Sequence, residues 1–153
     1  MTLALAQVFI DTAGRYKQIL SIQNFVQWLV YGRFSTTDSA WDVGQSTRTA
    51  LMIWMERGIN DLEHTQRVID QRLDREEASG NGSLMRISPI GVALWVDCGY
   101  ARQVARQHSL ITHPAAACVE ACEAYTDLIC KAMEGPSYTV SVFIQSSRSL
   151  MKA

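Results

Sequence analysis

The sequence predicts an all-α fold, and three observations support this prediction. Apolar residues recur at spacings of three and four along most of the chain, as they do on one face of an α-helix. Glycines, prolines and Ser/Thr-rich stretches fall between these periodic segments, where helices begin and end. Only residues 138–144 alternate apolar and polar side chains in the manner of a strand. Helices therefore dominate the predicted architecture.

Composition indicates one ordinary globular domain. The chain has 153 residues, of which 48% are apolar and 19% charged. Fourteen basic and fifteen acidic residues, without a basic block, give no reason to expect a nucleic-acid partner. No apolar run approaches the ~20 residues that span a bilayer, and no cationic region precedes the first apolar stretch. We expect no membrane span, no signal peptide and an intracellular, cytoplasmic location.

Four helices are predicted in the first half of the chain. Gly32 follows the second helix and Gly58 the third, as terminating glycines do. Asp42 stands before the third helix and is predicted to cap its N-terminus. The predicted ranges are 2–12, 16–31, 44–57 and 60–74, with a charged continuation over 75–78.

Three more helices are predicted after a glycine-rich turn. Ser88-Pro89 indicates an N-cap followed by proline at the first helical position, and Gly99 is predicted to end that helix. In the last helix Asp127 and Lys131 stand four apart, a spacing that favours an ion pair. The predicted ranges are 89–98, 100–108 and 114–133.

Cysteines, tryptophans and two of the histidines receive structural interpretations. The cysteines lack the spacing of metal sites of the CxxC type and are predicted to be buried reduced thiols. His64 and His108 lie in polar helical surroundings and are predicted to be surface residues. The tryptophans fall mostly on apolar helical faces and are predicted to pack in the core. The cysteines are Cys98, Cys118, Cys122 and Cys130, and the tryptophans are Trp28, Trp41, Trp54 and Trp95.

The segment Ser79-Gly80-Asn81-Gly82-Ser83 is the strongest candidate for a binding site. Its two glycines permit positive φ and let the backbone approach a ligand closely. Backbone N–H groups, the Asn81 amide and two hydroxyls are suited to hydrogen-bond a sugar or a phosphate. Gly-Asn-Gly is also an ordinary turn between helices, and the segment taken alone favours that interpretation.

Two further segments have the same double interpretation. Thr112-His113-Pro114 precedes the last helix, where an imidazole and free helix N–H groups suit an anionic or ribose ligand. The same residues also suit a simple helix cap before a proline. The run from Asp42 to Thr47 is, taken alone, the start of a helix.

In their order along the chain, these pieces resemble the ADP-ribosylglycohydrolase family. That family has an Asp-x-Gly followed by Ser or Thr, which corresponds to residues 42–47. A Gly-Asn-Gly-x-x-Met-Arg-x-x-Pro-x-Gly run corresponds to residues 80–91, and a Thr-His before a helix corresponds to Thr112-His113. The resemblance covers roughly residues 1–133, leaving 134–153 as a divergent tail.

The resemblance implies an all-helical domain and removal of ADP-ribose from a modified protein or conjugate with two magnesium ions. It implies that the segment around Gly-Asn-Gly holds ribose and phosphate oxygens, and that His113 contacts the diphosphate or ribose. Arg86 is expected in a buried structural ion pair. The segment consists of Ser79, Gly80, Asn81, Gly82 and Ser83.

Both metal-binding motifs of the family, Asp-Asp-Thr and Gly-Gly-Asp-x-Asp-Thr, are absent from this sequence. We therefore expect a domain truncated at both ends, with no catalytic residue, no metal ligand, no tightly bound magnesium and no efficient hydrolysis by this chain alone. The alternatives are a non-catalytic ADP-ribose-binding or interaction module and a helical scaffold without a ligand. Apolar faces left without packing partners predict self-association.

Overall fold

The computed structural model describes residues 1–135, and this part of the chain is helical with no strand. The all-α prediction is confirmed; the strand predicted over 138–144 lies outside the described residues. None of the described helices is long and apolar enough to cross a membrane. The α-helices are α1 (Thr2–Asp11), α2 (Gln18–Tyr31), α3 (Gln45–Arg57), α4 (Leu62–Leu73), α5 (Ser88–Leu94), α6 (Cys98–Leu110) and α7 (Ala116–Met133).

One hydrophobic core joins these helices. Helix α7 packs against α5 and α6, α1 packs against α2 and α5, and α3 packs between α2 and α4. Full burial of each large apolar side chain stabilises the fold by about 1.5–3 kcal/mol. The Trp54 indole also donates a hydrogen bond of 3.0 Å to the carbonyl of Ile111, which ties α3 to the end of α6. Fully buried members of the core include Leu5, Ile22, Phe25, Leu51, Trp54, Ile69, Ile87, Ile90 and Ile111.

The helix ends predicted at Gly32 and Gly58 are correct. Gly32 follows α2 with a φ of 65°, in the left-handed region, and its N–H bonds to the carbonyl of Trp28. The cap predicted for α3 is wrong. Gly44 is the N-cap, without a side-chain hydrogen bond, whereas Asp42 lies two residues earlier with a φ of 50°. Asp42 therefore shapes the loop and does not cap the helix.

The boundary between α5 and α6 also differs from the prediction. Helix α5 ends at Leu94, and Gly99, predicted to be its terminator, lies in the first turn of α6. The Asp97 carboxylate accepts a 2.9 Å hydrogen bond from the N–H of Tyr100, so Asp97 caps α6. Ser88 is the first residue of α5 and not its cap.

Burial confirms some of the side-chain predictions and overturns others. Cys118, Cys122 and Cys130 are buried and Cys98 is half-buried, all as free thiols. Trp28 and Trp54 are in the core as predicted, but Trp41 and Trp95 are exposed, since both stand at connections between helices. His64 is exposed as predicted. His108 is fully buried, and the prediction of a surface histidine is wrong.

Several large apolar side chains are exposed on the described surface. Val96, Tyr31 and Ile10 each expose more than 70% of their area. Surfaces of this kind are sites of association when the side chains are contiguous. The self-association expected from the sequence stays a prediction.

Candidate functional site

The segments singled out from the sequence line one cavity of about 560 Å³. This volume is within the range of small-molecule sites, ~300–1,000 Å³. The start of α3 and the loop before it, the Gly-Asn-Gly loop, His113 and the first residues of the chain all contribute to its lining. The lining includes Met1, Thr2, Leu3, Trp28, Phe34, Trp41, Asp42, Ser46, Thr47, Glu77, Ser79, Gly80, Asn81, Gly82, Met85, Arg86 and His113.

Gly82 is required for space and not for an unusual backbone conformation. Neither Gly80 nor Gly82 has a positive φ, so the conformational role predicted for these glycines is wrong. A Cβ on Gly82 would lie 2.8 Å from His113 Cε1 and 2.9 Å from Thr47 Oγ1, closer than packing allows. A Cβ on Gly80 would make an ordinary 3.6 Å contact with His113 Nε2. The loop therefore packs directly against the histidine ring, and only glycine fits at position 82.

Helix α3 positions the loop by direct contact. The Ser46 hydroxyl donates a 2.9 Å hydrogen bond to the carbonyl of Ala78, immediately before the loop. Thr47 is buried beneath Gly82. The segment from Asp42 to Thr47, which alone indicated only a helix start, thus contributes structure to the cavity.

His113 closes the cavity from beneath the loop. Its Nδ1 lies 2.7 Å from Thr112 Oγ1, and its ring is almost fully buried. Burial and, second, the positive charge of Arg86 lower the pKa of His113 to about 4. The imidazole is therefore neutral at physiological pH.

Arg86 is a buried cation whose hydrogen-bond partners in residues 1–135 are all neutral. Its Nε donates to His108 Nε2 at 2.9 Å, Nη1 to the Gly82 carbonyl at 3.1 Å and Nη2 to Thr112 Oγ1 at 2.7 Å. Its guanidinium also stacks over the Phe25 ring, with 4.9 Å between the guanidinium carbon and the ring centroid. Burial lowers the pKa of Arg86 to about 10, which leaves it charged at neutral pH.

The ion pair expected for Arg86 is therefore wrong within the described residues. Its burial is confirmed, but the side chain braces the loop carbonyl and Thr112 through neutral acceptors. No sign of these neutral partners was present in the sequence, because His108 lies next to Arg86 only as a result of how α6 packs in the fold.

Ser83 lies behind the loop and does not line the cavity. Its hydroxyl is fully buried, 3.0 Å from Ser109 Oγ and 3.4 Å from the thiol of Cys122. The thiol of Cys118 contacts the carbonyl of Gly80 at 3.4 Å. Ser109 of α6 and these two cysteines of α7 thus support the loop from behind. Ser79, Gly80 and Asn81 remain exposed at the cavity.

Sequence reasoning missed several lining residues. Trp41 was assigned to the core, yet it is exposed at the cavity, and Phe34 is a further aromatic residue of the lining. Phe34 has a φ of 65° and Asp42 one of 50°, so the loop between α2 and α3 is held in an unusual shape. An aromatic residue beside Asp-x-Gly in a Ser/Thr-rich loop was the available signal.

The donor groups at the cavity do not fit a two-magnesium centre. Asp42 and Glu77 supply its carboxylates, and no three His, Cys, Asp or Glu side chains within residues 1–135 are grouped so as to hold a metal ion. Magnesium sites need several converging oxygen ligands. The described residues are suited to hydrogen-bond an organic ligand.

Comparison with known proteins places these features in a family. The model of the family described as ADP-ribosylglycohydrolase matches residues 1–152, which extends beyond residue 133, where the motif resemblance ends. The chain is 25% identical over 123 residues to the ADP-ribosylarginine hydrolase Tri1 of Pseudomonas putida (strain GB-1), covering 80% of this chain and 30% of that protein. It is 28% identical over 92 residues to the protein of that name from Serratia proteamaculans (strain 568), covering 60% of this chain and 22% of that protein. The chain thus spans less than a third of either relative.

Proposed function

Because the chain belongs to the ADP-ribosylglycohydrolase family, we propose that residues 1–135 form the ADP-ribose-binding section of an ADP-ribosyl hydrolase. One observation supports this most strongly. Three segments far apart in the sequence, 42–47, 79–82 and His113, meet around one cavity of ligand size. If these segments were only helix ends and a turn between helices, they would not need to lie around the same cavity.

The loop and the histidine supply polar groups for ribose and phosphate oxygens. Ser79 and Asn81 are exposed at the cavity and offer a hydroxyl and an amide, and the exposed backbone of Gly80 lies beside them. His113 adds a ring nitrogen from beneath the loop. Hydrogen bonds of this kind orient a ligand and give specificity.

The aromatic side of the cavity suits the adenine. Trp41 is 64% exposed and lines the cavity, so its ring face is available to a flat base. Stacking of a base on an aromatic side chain contributes about 1–3 kcal/mol.

The buried charge of Arg86 suits the diphosphate. Arg86 lines the cavity, and its hydrogen-bond partners in the described residues are neutral, so no carboxylate there is paired with it. In a poorly solvated site the field of such a charge favours an anionic ligand. Arg86 acts through this field and through the groups that it braces.

We also propose an arginine-linked ADP-ribose as the modified group. The two relatives are named ADP-ribosylarginine hydrolases. Asp42 and Glu77 both line the cavity, and carboxylates are the usual partners of a guanidinium. A neutral serine-linked conjugate would gain less from these two charges.

Hydrolysis of the glycosidic bond needs an activated water and stabilisation of the leaving group, which bound magnesium would supply in the family. Residues 1–135 present too few carboxylates for that centre. We therefore propose that this chain binds ADP-ribose without magnesium and does not hydrolyse its conjugates efficiently. A non-catalytic ADP-ribose-binding module is the second candidate, supported by the same donor set.

Isothermal titration calorimetry with ADP-ribose tests this proposal. We expect binding of micromolar affinity that is equal with magnesium and with EDTA. Adenosine, which lacks the diphosphate, should bind more weakly because it does not use the field of Arg86. Absence of heat with ADP-ribose, or binding only with magnesium, contradicts the proposal. A parallel assay with ADP-ribosylarginine and magnesium should show no efficient release of ADP-ribose.

A further inference from the structure

Arg86 contacts two buried histidines, one directly and one through a hydroxyl. Its Nε–H donates to His108 Nε2, and its Nη2 donates to Thr112 Oγ1, which in turn lies 2.7 Å from His113 Nδ1. A guanidinium has five N–H donors and no acceptor. Every group that hydrogen-bonds to it must therefore accept that hydrogen bond through a lone pair, and this requirement fixes which nitrogen of each imidazole carries the hydrogen.

The requirement acts on His108 at its Nε2. Because Arg86 Nε always carries its hydrogen, His108 Nε2 must offer a lone pair. A neutral imidazole with an unprotonated Nε2 carries its proton on Nδ1. That proton is directed to the Tyr16 hydroxyl, whose oxygen lies 3.2 Å from Nδ1. His108 is thus the Nδ1–H tautomer.

The requirement passes to His113 through the Thr112 hydroxyl. Thr112 Oγ1 accepts from Arg86 and has one hydrogen of its own to donate. In the described part of the chain, the remaining partner of this fully buried hydroxyl is His113 Nδ1. If His113 carried its proton on Nδ1, the threonine hydrogen would be buried without an acceptor, which is unfavourable. His113 Nδ1 therefore accepts, and its proton lies on Nε2.

We propose that Arg86 holds two histidines in opposite tautomers, His108 with its proton on Nδ1 and His113 with its proton on Nε2, so that His113 presents an N–H donor to the cavity. Thr112 is the positioning residue that transmits this choice. The Nε2 edge of His113 faces Gly80 and Gly82, the two glycines of the Gly-Asn-Gly loop that lines the cavity.

The tautomer determines what the cavity recognises. A neutral ring with Nε2–H donates to an oxygen acceptor, such as a ribose or phosphate oxygen, and has no lone pair on that edge to act as a base. The low pKa of His113, about 4, keeps the ring neutral across the physiological range. The identity of the acceptor rests on the proposed function, whereas the two tautomers rest on the protein contacts alone.

Long-range ¹H–¹⁵N correlation spectra of histidine-labelled protein at pH 7 test the proposal. For His113 we expect an unprotonated, pyridine-like Nδ1 and a protonated, pyrrole-like Nε2. For His108 the pattern should be the reverse. The same tautomer at both positions, or a protonated Nδ1 in His113, overturns the proposal. The experiment uses the unaltered chain and needs no variant.

Two matched substitutions test the part played by Thr112. Thr112→Val removes the hydroxyl at nearly constant shape, and we expect the ¹⁵N shifts of His113 to move towards a mixture of tautomers while those of His108 stay unchanged. Thr112→Ser keeps the hydroxyl and should retain the wild-type pattern. If His113 keeps a pure Nε2–H pattern in a folded Thr112→Val protein, Thr112 does not transmit the choice. If Thr112→Val does not fold, Thr112→Ala removes the same hydroxyl, and the same two outcomes support or overturn the role of Thr112.

Addition of ADP-ribose separates this proposal from the proposed function. Binding through His113 should shift the Nε2 resonance and leave the tautomer unchanged. If the free protein shows the two opposite tautomers but ADP-ribose moves no resonance, the proposed function fails and the tautomer assignment stands. If ADP-ribose binds but His113 carries its proton on Nδ1, the tautomer proposal fails alone.

Discussion

Two charged groups are buried beside helix α6, and they differ in how their charge is compensated. Asp127 in α7 has a cation beside it, because Lys131 Nζ lies 2.6 Å from its carboxylate, and the Cys98 thiol donates to it at 3.1 Å. Arg86 has only neutral hydrogen-bond partners in the described residues. A buried ion is costly unless it is paired and hydrogen-bonded.

The location of the two groups explains this difference. Asp127 and Lys131 form an ion pair one helical turn apart, and Asp127 does not line the cavity. Arg86 lines the cavity beneath the loop. Arg86, which has no counter-ion among the described residues, is therefore the buried charge whose field extends to an anionic ligand in the cavity. The difference separates a structural ion pair from a charge suited to binding.

The largest expected effect is loss of stability between pH 7 and pH 5. Burial and then Arg86 lower the pKa values of His108 and His113 below the ordinary 6.5. In this window the unfolded chain binds protons that the folded chain does not, so the free energy of unfolding falls as pH falls. For His113, whose pKa is about 4, the loss is about 2 kcal/mol, and His108 adds a loss in the same direction. Urea unfolding at pH 7, 6 and 5 measures it.

The stabilising contribution of Asp127, Lys131 and the Cys98 thiol, called here the Asp127 cluster, should change in a different pH window. Burial by itself raises the pKa of Asp127, but hydrogen bonds from Lys131 and Cys98 and the charge of Lys131 outweigh it, and the net pKa lies below 3.8. Its stabilising contribution is present above that pH and is lost below it. A stability profile that is flat from pH 7 to 5 and falls only below pH 4 would contradict the assignment of both histidines as buried and neutral.

Gly82→Ala should have the next largest effect. The added Cβ overlaps His113 and Thr47, so the free energy of unfolding should fall by about 1–3 kcal/mol and the affinity for ADP-ribose by about tenfold or more. Gly80→Ala meets the same ring at an ordinary distance and should be milder on stability. Gly99→Ala, in an exposed turn of α6, is the control and should change neither quantity for the worse. Equal losses of stability and affinity in Gly82→Ala and Gly99→Ala would show that the packing of the loop against His113 is not what makes Gly82 necessary.

Lys131→Met should have the smallest effect. It removes the cation from Asp127 at a partly exposed site, and we expect a loss of about 1 kcal/mol or less. Binding of ADP-ribose should stay at the wild-type level, because the pair does not line the cavity. Calorimetry with ADP-ribose on this variant and on the wild type tests whether Asp127 and Arg86 act independently. A large loss of affinity for ADP-ribose would show that the two buried charges are coupled.

The fold was largely predictable because helical periodicity and glycine terminators are local signals. The end of α5 was not, since neither glycine nor proline marks Leu94, while the misleading Gly99 lies inside α6. The predicted cap at Asp42 failed for a similar reason: a good capping residue lay two positions away from the true helix start.

The candidate site was predictable only in part. The order of the motifs placed the Gly-Asn-Gly loop and His113 together, and both line the cavity. The buried position of His108 depends on the packing of α6 against Phe25, whose ring lies 5.4 Å from the imidazole between centroids, and no local pattern reports this contact. The neutral surroundings of Arg86 follow from the same packing.

The most direct test is a ¹H–¹⁵N correlation titration of the labelled chain with ADP-ribose in the absence of magnesium. We expect saturable shifts for the backbone amides of Gly80, Asn81, Gly82 and His113 and for the Trp41 indole, with the amides of Asp127 and Lys131 unmoved. Absence of saturable shifts in the cavity residues, or shifts centred on the Asp127 cluster, would contradict this expectation.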